Sequence, residues 1–148
     1  MNKALFLDRD GVINVDHGYV YQAGDFDFID GIFDLVKRAN EQGYKVIVIT
    51  NQSGIGRGMY TESDFEALSV WMLCEFTKRG AIIDDVLFCP HHPEAKLPEY
   101  KKMCECRTPT AGMLTTAASK HNICRAHSIM VVDKLSDVEA AIDESLRE

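Results

Sequence analysis

The chain has 148 residues, 46% of them hydrophobic, which is enough for one domain with a substantial core and too little for two ordinary ones. Its formal net charge of −7 argues against a nucleic-acid surface or an anionic membrane as the main partner, since either needs a basic face. No stretch approaches the roughly 20 apolar residues of a membrane span, and the N-terminus reads as a strand rather than a charged leader, so a cytoplasmic protein is expected.

Residues 3–8 read as a first buried strand, in which Ala4-Leu5-Phe6-Leu7 runs straight into Asp8-Arg9-Asp10-Gly11-Val12. Two carboxylates at i and i+2 past a strand end project the same way and can share one divalent cation. Gly11 lets the backbone turn away, leaving them at the crevice where open α/β sheets bind ligands. Taken alone, the Asp-x-Asp pair also reads, with less weight, as a solvated strand end. The segment from Ile13 to Asp30 is long for a βα loop and carries Tyr19, Tyr21, Phe26 and Phe28. It is either a small flap over the site or an ordinary packed hairpin.

Ile32, Leu35, Val36 and Ala39 recur at helical spacing up to Gly43, and residues 44–50, rich in β-branched side chains, form a second parallel strand, completing a βαβ unit. Thr50-Asn51-Gln52-Ser53-Gly54 follows that strand as the aspartates follow the first. It sets hydroxyls, an amide and loop N–H groups beside Asp8, a set suited to a phosphoryl group. A second helix starts at Thr61, capped with Asp64, and buries Phe65, Leu68, Met72 and Phe76 before Gly80. A third strand covers about 85–88, a polar excursion runs to about 108, and a helix from Thr110 to His121 leads to a fourth strand, Ser128 to Asp133. A last helix begins at Ser136, with Glu139 in capping-box register and a stripe of Val138, Ile142 and Leu146.

Three strand ends thus deliver Asp8 and Asp10, Thr50 and Asn51, and Asp133 with Asp137 to one sheet edge. Mg²⁺ prefers such hard oxygen ligands with a phosphate to share. A second metal site follows from cysteine spacing. Cys89-x-His91 is separated by twelve residues from Cys104-x-Cys106, a closed Cys₃His set that reads as structural Zn²⁺ because no ligand position is left for water. His92 is the alternative imidazole. Cys74 and Cys124 complete an odd set of five, so no disulfide framework is expected, and both read as inert core thiols. Arg57 reads as a solvated surface arginine, and His17 is the one remaining histidine near the site.

The motifs Leu7-Asp8-Arg9-Asp10-Gly11, Thr50-Asn51-Gln52-Ser53-Gly54 and Asp133-Lys134-Leu135-Ser136-Asp137 resemble those of the haloacid dehalogenase superfamily of phosphatases. Val15-Asp16-His17-Gly18-Tyr19-Val20, Phe28-Ile29-Asp30-Gly31 and Cys89-Pro90-His91-His92-Pro93 resemble its heptose bisphosphate phosphatases, with the histidinol-phosphate phosphatases as close relatives. The resemblance implies an α/β fold with a Rossmann-like parallel sheet, helices on both faces, a flap after the first strand and a zinc loop over about 89–108. It implies Asp8 as nucleophile through an aspartyl phosphate, and Asp10 as acid and base. Asp8, the Asp10 carbonyl and Asp133 would bind Mg²⁺, Thr50 and Asn51 the transferring group, and Ser53 and Arg107 the substrate. The implied reaction removes the C7 phosphate of a heptose 1,7-bisphosphate on the route to lipopolysaccharide or surface-layer precursors.

Three departures accompany the match. Thr108 stands where the family pattern has a lysine that balances the aspartyl phosphate, a loss that Arg107 or Lys134 could partly offset. An enzyme of reduced activity, or an impaired paralogue that binds a phosphosugar or a partner, is therefore the rival expectation to full turnover. Val132 replaces a glycine before Asp133, and Ala111 a helix-start proline. The family pattern also continues beyond Glu148 through another strand and helix, so the fourth strand is expected at a sheet edge, in a monomer or an edge-paired dimer.

Overall fold

The computed structural model describes residues 2–91, 97–100, 112–124 and 128–131. In chain order its elements are β1 (Lys3–Leu7), α1 (Ile32–Glu41), β2 (Tyr44–Asn51), α2 (Ser53–Gly56), α3 (Glu62–Lys78), β3 (Asp85–Cys89), α4 (Gly112–His121) and β4 (Ile129–Val131). The four strands form one sheet in the order β3-β2-β1-β4, and every neighbouring pair is parallel. Leu7 pairs with Val48 on one side and Val131 on the other, while Asn51 pairs with Cys89, so all four C-terminal ends reach the same edge.

The period of two along each strand decides which face each residue feeds. Leu5, Leu7, Val46 and Val48 point into a cluster with Ile32, Leu35, Val36 and Ala39 of α1 and Leu68, Met72 and Phe76 of α3. Ala4, Phe6, Ile47 and Ile49 point the other way, onto Ala117 of α4, Ile123 and Cys89. Helices therefore cover both faces, as the near-continuous apolar runs of the strands require. No helix among the described residues is long and apolar enough to cross a membrane.

The capping box of α3 is formed in both directions. Asp64 N–H donates to Thr61 Oγ1 at 3.0 Å, and Thr61 N–H donates to Asp64 Oδ2 at 2.9 Å. Its buried stripe is Phe65, Leu68, Met72 and Phe76. Cys74, expected in the core, is exposed instead, because two residues beyond Met72 turn the helix by about 200° to its outer side. Cys124 is half-buried. The strand expected to reach Asp133 is described to Val131, and the helix expected from Ser136 lies outside the described residues.

Residues 13–30 combine the two forms the sequence left open. The base is pinned like a hairpin by Val15 N–H to Asp27 O and Ile29 N–H to Ile13 O, both 2.8 Å. Phe26 and Phe28 pack edge-on or tilted against Trp71, and Phe28 also meets Phe33 and Phe76. The tip carries Tyr19 and Tyr21, which are 44% and 36% exposed. The aromatic base anchors the segment on the core, and Tyr19 at the tip overhangs the cavity at the strand ends.

Candidate active site

Asp8 follows β1 directly, and the chain then makes a tight turn. Arg9 O accepts from the N–H groups of Val12, Ile13 and Asn14, and Gly11 sits at φ +92°, in the left-handed region a side chain would disfavour. This turn aims Asp8 and Asp10 into a cavity of about 400 Å³ lined also by Asn51, Ser53, Asp16 and Tyr19. The residues following β2 reach the same cavity, although the expected loop becomes in part the single turn α2.

Burial raises the Asp8 carboxyl to about 6, against the opposing effect of hydrogen bonds from the Arg9 N–H, at 2.8 Å, and the Thr50 hydroxyl, and with the nearby Asp10 charge adding to the rise. No ion pair neutralises Asp8 among the described residues. A half-buried carboxylate without an ion-pair partner among the described residues, beside a second carboxylate on an open cavity, is a fit for a hard divalent ion.

Asp10 is held by three side chains. Arg9 Nη2 donates to both its oxygens at 3.0 and 3.1 Å, Asn14 Nδ2 to Oδ1 at 3.0 Å, and Gln52 Nε2 to Oδ2 at 3.2 Å. Arg9 is only 1% exposed, and its guanidinium lies 5.8 Å from each of the Phe26 and Phe65 rings. Its Nη2 also donates to Val20 O at 2.8 Å, tying the Asp8–Asp10 turn to the flap. Gln52 donates to Thr50 Oγ1 at 2.9 Å and accepts from the Tyr60 hydroxyl. Desolvation pushes the Tyr60 phenol up to about 12, so it keeps its proton.

Of the residues expected from sequence, Asp8, Asp10, Asn51 and Ser53 line one cavity, and Thr50 lies buried beside it. Asp133, Lys134, Arg107 and Thr108 lie outside the described residues, as do Cys104 and Cys106. Cys89 Sγ stands 3.8 Å from His91 Nδ1, close to the separation of about 3.6 Å that two ligands of one tetrahedral zinc would have. His17 pairs with Asp27 at 2.7 Å on the surface and lines a neighbouring cavity with Gly18 and Tyr19.

Sequence reasoning gave no role to Arg9, Asn14, Gln52 or Tyr60. Arg9 and Gln52 stood inside quoted motifs, but nothing in those motifs distinguished a buried side chain from a solvated one. Nothing local marked Tyr60.

No protein-family model matches the chain. It is 48% identical over 139 residues to the D-glycero-beta-D-manno-heptose-1,7-bisphosphate 7-phosphatase of Yersinia pestis, covering 94% of this chain and 74% of that protein. The Haemophilus influenzae protein of the same name is 44% identical over 147 residues, covering 99% of this chain and 79% of its own length. Among solved structures, the D,D-heptose 1,7-bisphosphate phosphatase of B. bronchiseptica, complexed with magnesium and phosphate, superposes with a TM-score of 0.78 at 28% identity, covering 97% of this chain and 76% of that one. With this identity running over most of both chains, on a parallel sheet whose strand ends carry Asp8, Asp10 and Thr50, the chain belongs to the heptose-1,7-bisphosphate 7-phosphatase family of haloacid dehalogenase-like phosphatases, which are phosphomonoester hydrolases.

Proposed function

We propose that this chain is a Mg²⁺-dependent phosphatase that removes the C7 phosphate of D-glycero-D-manno-heptose 1,7-bisphosphate. The observation that carries the reading is the meeting of Asp8, Asp10 and Asn51 on one open cavity, with Thr50 bonded to Asp8 beside it, in a chain 48% identical to a phosphatase of that name.

Asp8 attacks phosphorus with a carboxylate oxygen. The bond to the C7 oxygen breaks, and that oxygen takes a proton from the Asp10 carboxyl. The Asp10 carboxylate then takes a proton from a water, whose oxygen attacks the aspartyl phosphate. The bond to Asp8 breaks, releasing inorganic phosphate, with Asp8 ionised and Asp10 protonated again. Thr50 and Asn51 bind the transferring group by hydroxyl and amide, and Ser53, Arg107 and Lys134 grip the substrate. Asp8, the Asp10 carbonyl and Asp133 would hold Mg²⁺, which when bound offsets the negative charge of nucleophile and phosphate together. In the sequence Asp133 comes two residues after Val131, and the pairing of β4 with β1 supports its inclusion in the metal set. Cys89, His91, Cys104 and Cys106 would hold a structural Zn²⁺, a set whose Cys89 to His91 spacing supports a shared ion.

Phosphate release from heptose 1,7-bisphosphate and from histidinol phosphate, with Mg²⁺, tests the reading. Turnover of the heptose substrate is expected, abolished by Asp8→Asn. Thr108→Lys is expected to raise the rate by up to about 10²-fold if a cation is missing from the site. Preference for histidinol phosphate, or silence from all three proteins, would overturn it.

A further inference from the structure

We propose that Tyr60 and Gln52 form a positioning relay: the Tyr60 hydroxyl locks the Gln52 amide so that its NH₂ group holds Asp10 and engages Thr50, leaving the Thr50 proton directed at Asp8 and the phosphoryl site. The inference rests on the roles of Asp8 and Asp10 given above. Asp10 Oδ2 already accepts from Arg9 Nη2 at 3.1 Å, and the Gln52 amide nitrogen donates to the same oxygen at 3.2 Å. The amide oxygen then faces Tyr60, whose hydroxyl must donate to it.

The nitrogen gives its second proton to Thr50 Oγ1 at 2.9 Å. Thr50 has one proton of its own, and of its two acceptors the Asn51 carbonyl is poor, at 3.5 Å. The Asp8 carboxylate, hydrogen-bonded by Thr50, is the better one. Each link in the chain Tyr60, Gln52, Thr50, Asp8 therefore has one donor direction.

The relay is built from buried parts that cannot easily turn. Thr50, Gln52 and Tyr60 are 1%, 2% and 6% exposed. The Tyr60 ring stacks on Tyr21, with centroids 5.3 Å apart and planes 9° from parallel, and it lies so close over Gly54 that a Cβ there would collide with it. Burial also keeps the phenol protonated well above neutral pH, so the donor is always present. Donors oriented before substrate arrives need no reorganisation in the transition state. Neither Tyr60 nor Gln52 takes part in bond making; each acts through Thr50 and Asp10.

Steady-state kinetics of the wild type, Tyr60→Phe, Gln52→Leu and the double variant test the relay, with each thermal midpoint measured as a folding control. Tyr60→Phe is expected to lower kcat about 10-fold and Gln52→Leu about 100-fold, with KM within about two-fold. Because Tyr60 acts only through Gln52, the double variant should match Gln52→Leu alone. Losses that multiply, or a Tyr60→Phe protein with altered melting and unchanged kcat, overturn the proposal. If the wild type releases no phosphate from any sugar phosphate, the phosphatase reading falls and hydrogen exchange of the Gln52 side-chain amide, read by NMR, decides the relay. Slow exchange that becomes fast in Tyr60→Phe upholds it, and fast exchange in the wild type overturns it.

Discussion

Burial raises the Asp8 carboxyl from 3.8 to about 6, so above that pH the folded protein holds an ionised group that the unfolded chain would hydrate freely. A folded pKa above the unfolded one means that ionisation costs stability, with the cost complete above about 6, shrinking as pH falls, and absent below 3.8. In chelator-treated protein, Asp8→Asn should therefore raise stability at pH 8 by roughly 1–3 kcal/mol, and the gain should vanish toward pH 3.5. Thermal melts of both proteins across that range check this, and an unchanged or lowered midpoint at pH 8 would contradict it. At this scale the sequence was partly legible. Asp8, Asp10 and Thr50 were legible together because the βαβ pattern sets the ends of two neighbouring parallel strands side by side. The role of Arg9 did not, because whether a flanking arginine is solvated or buried between Phe26 and Phe65 depends on residues far along the chain.

Among the elements, the turn α2 brings the residues after β2 against the flap. The position a Cβ would take on Gly54 overlaps the Tyr60 ring and lies 2.9 Å from Tyr19 Cδ1. Gly54→Ala should therefore push both rings outward, destabilising the fold by about 1–3 kcal/mol and lowering kcat at least about 10-fold through the displaced Tyr60. Denaturant unfolding and kinetics on one preparation check both effects, and a variant with wild-type values of each would show that the rings yield freely. The strands, α1 and α3 were readable because period and capping chemistry are local: Thr61 and Asp64 specify a helix start whatever surrounds them. The flap was ambiguous for the opposite reason. Its aromatics are packed at the base and exposed at the tip, and composition does not distinguish the two ends.

For the whole molecule, the question is what orders the segment after β3. Zinc held by Cys89, His91, Cys104 and Cys106 would couple that segment to the sheet edge, since Gln52 N–H donates to Cys89 O at 2.8 Å. Reduced protein is expected to carry one Zn²⁺ per chain by elemental analysis. Cys104→Ser or chelation should then lower the thermal midpoint by roughly 10 °C, from a few kcal/mol of metal binding. A reduced, zinc-free protein with an unchanged midpoint would contradict this. The sequence by itself determined the alternation of strands and helices from β1 to β4 and the identity of the groups that follow β1 and β2, because periodicity, capping and turn chemistry act over a few residues. Only the tertiary structure decided that Arg9, Asn14 and Gln52 converge on Asp10 and that Tyr60 backs Gln52. Those contacts depend on strand register and on how α2 and the flap pack together, and no local pattern in the chain encodes either.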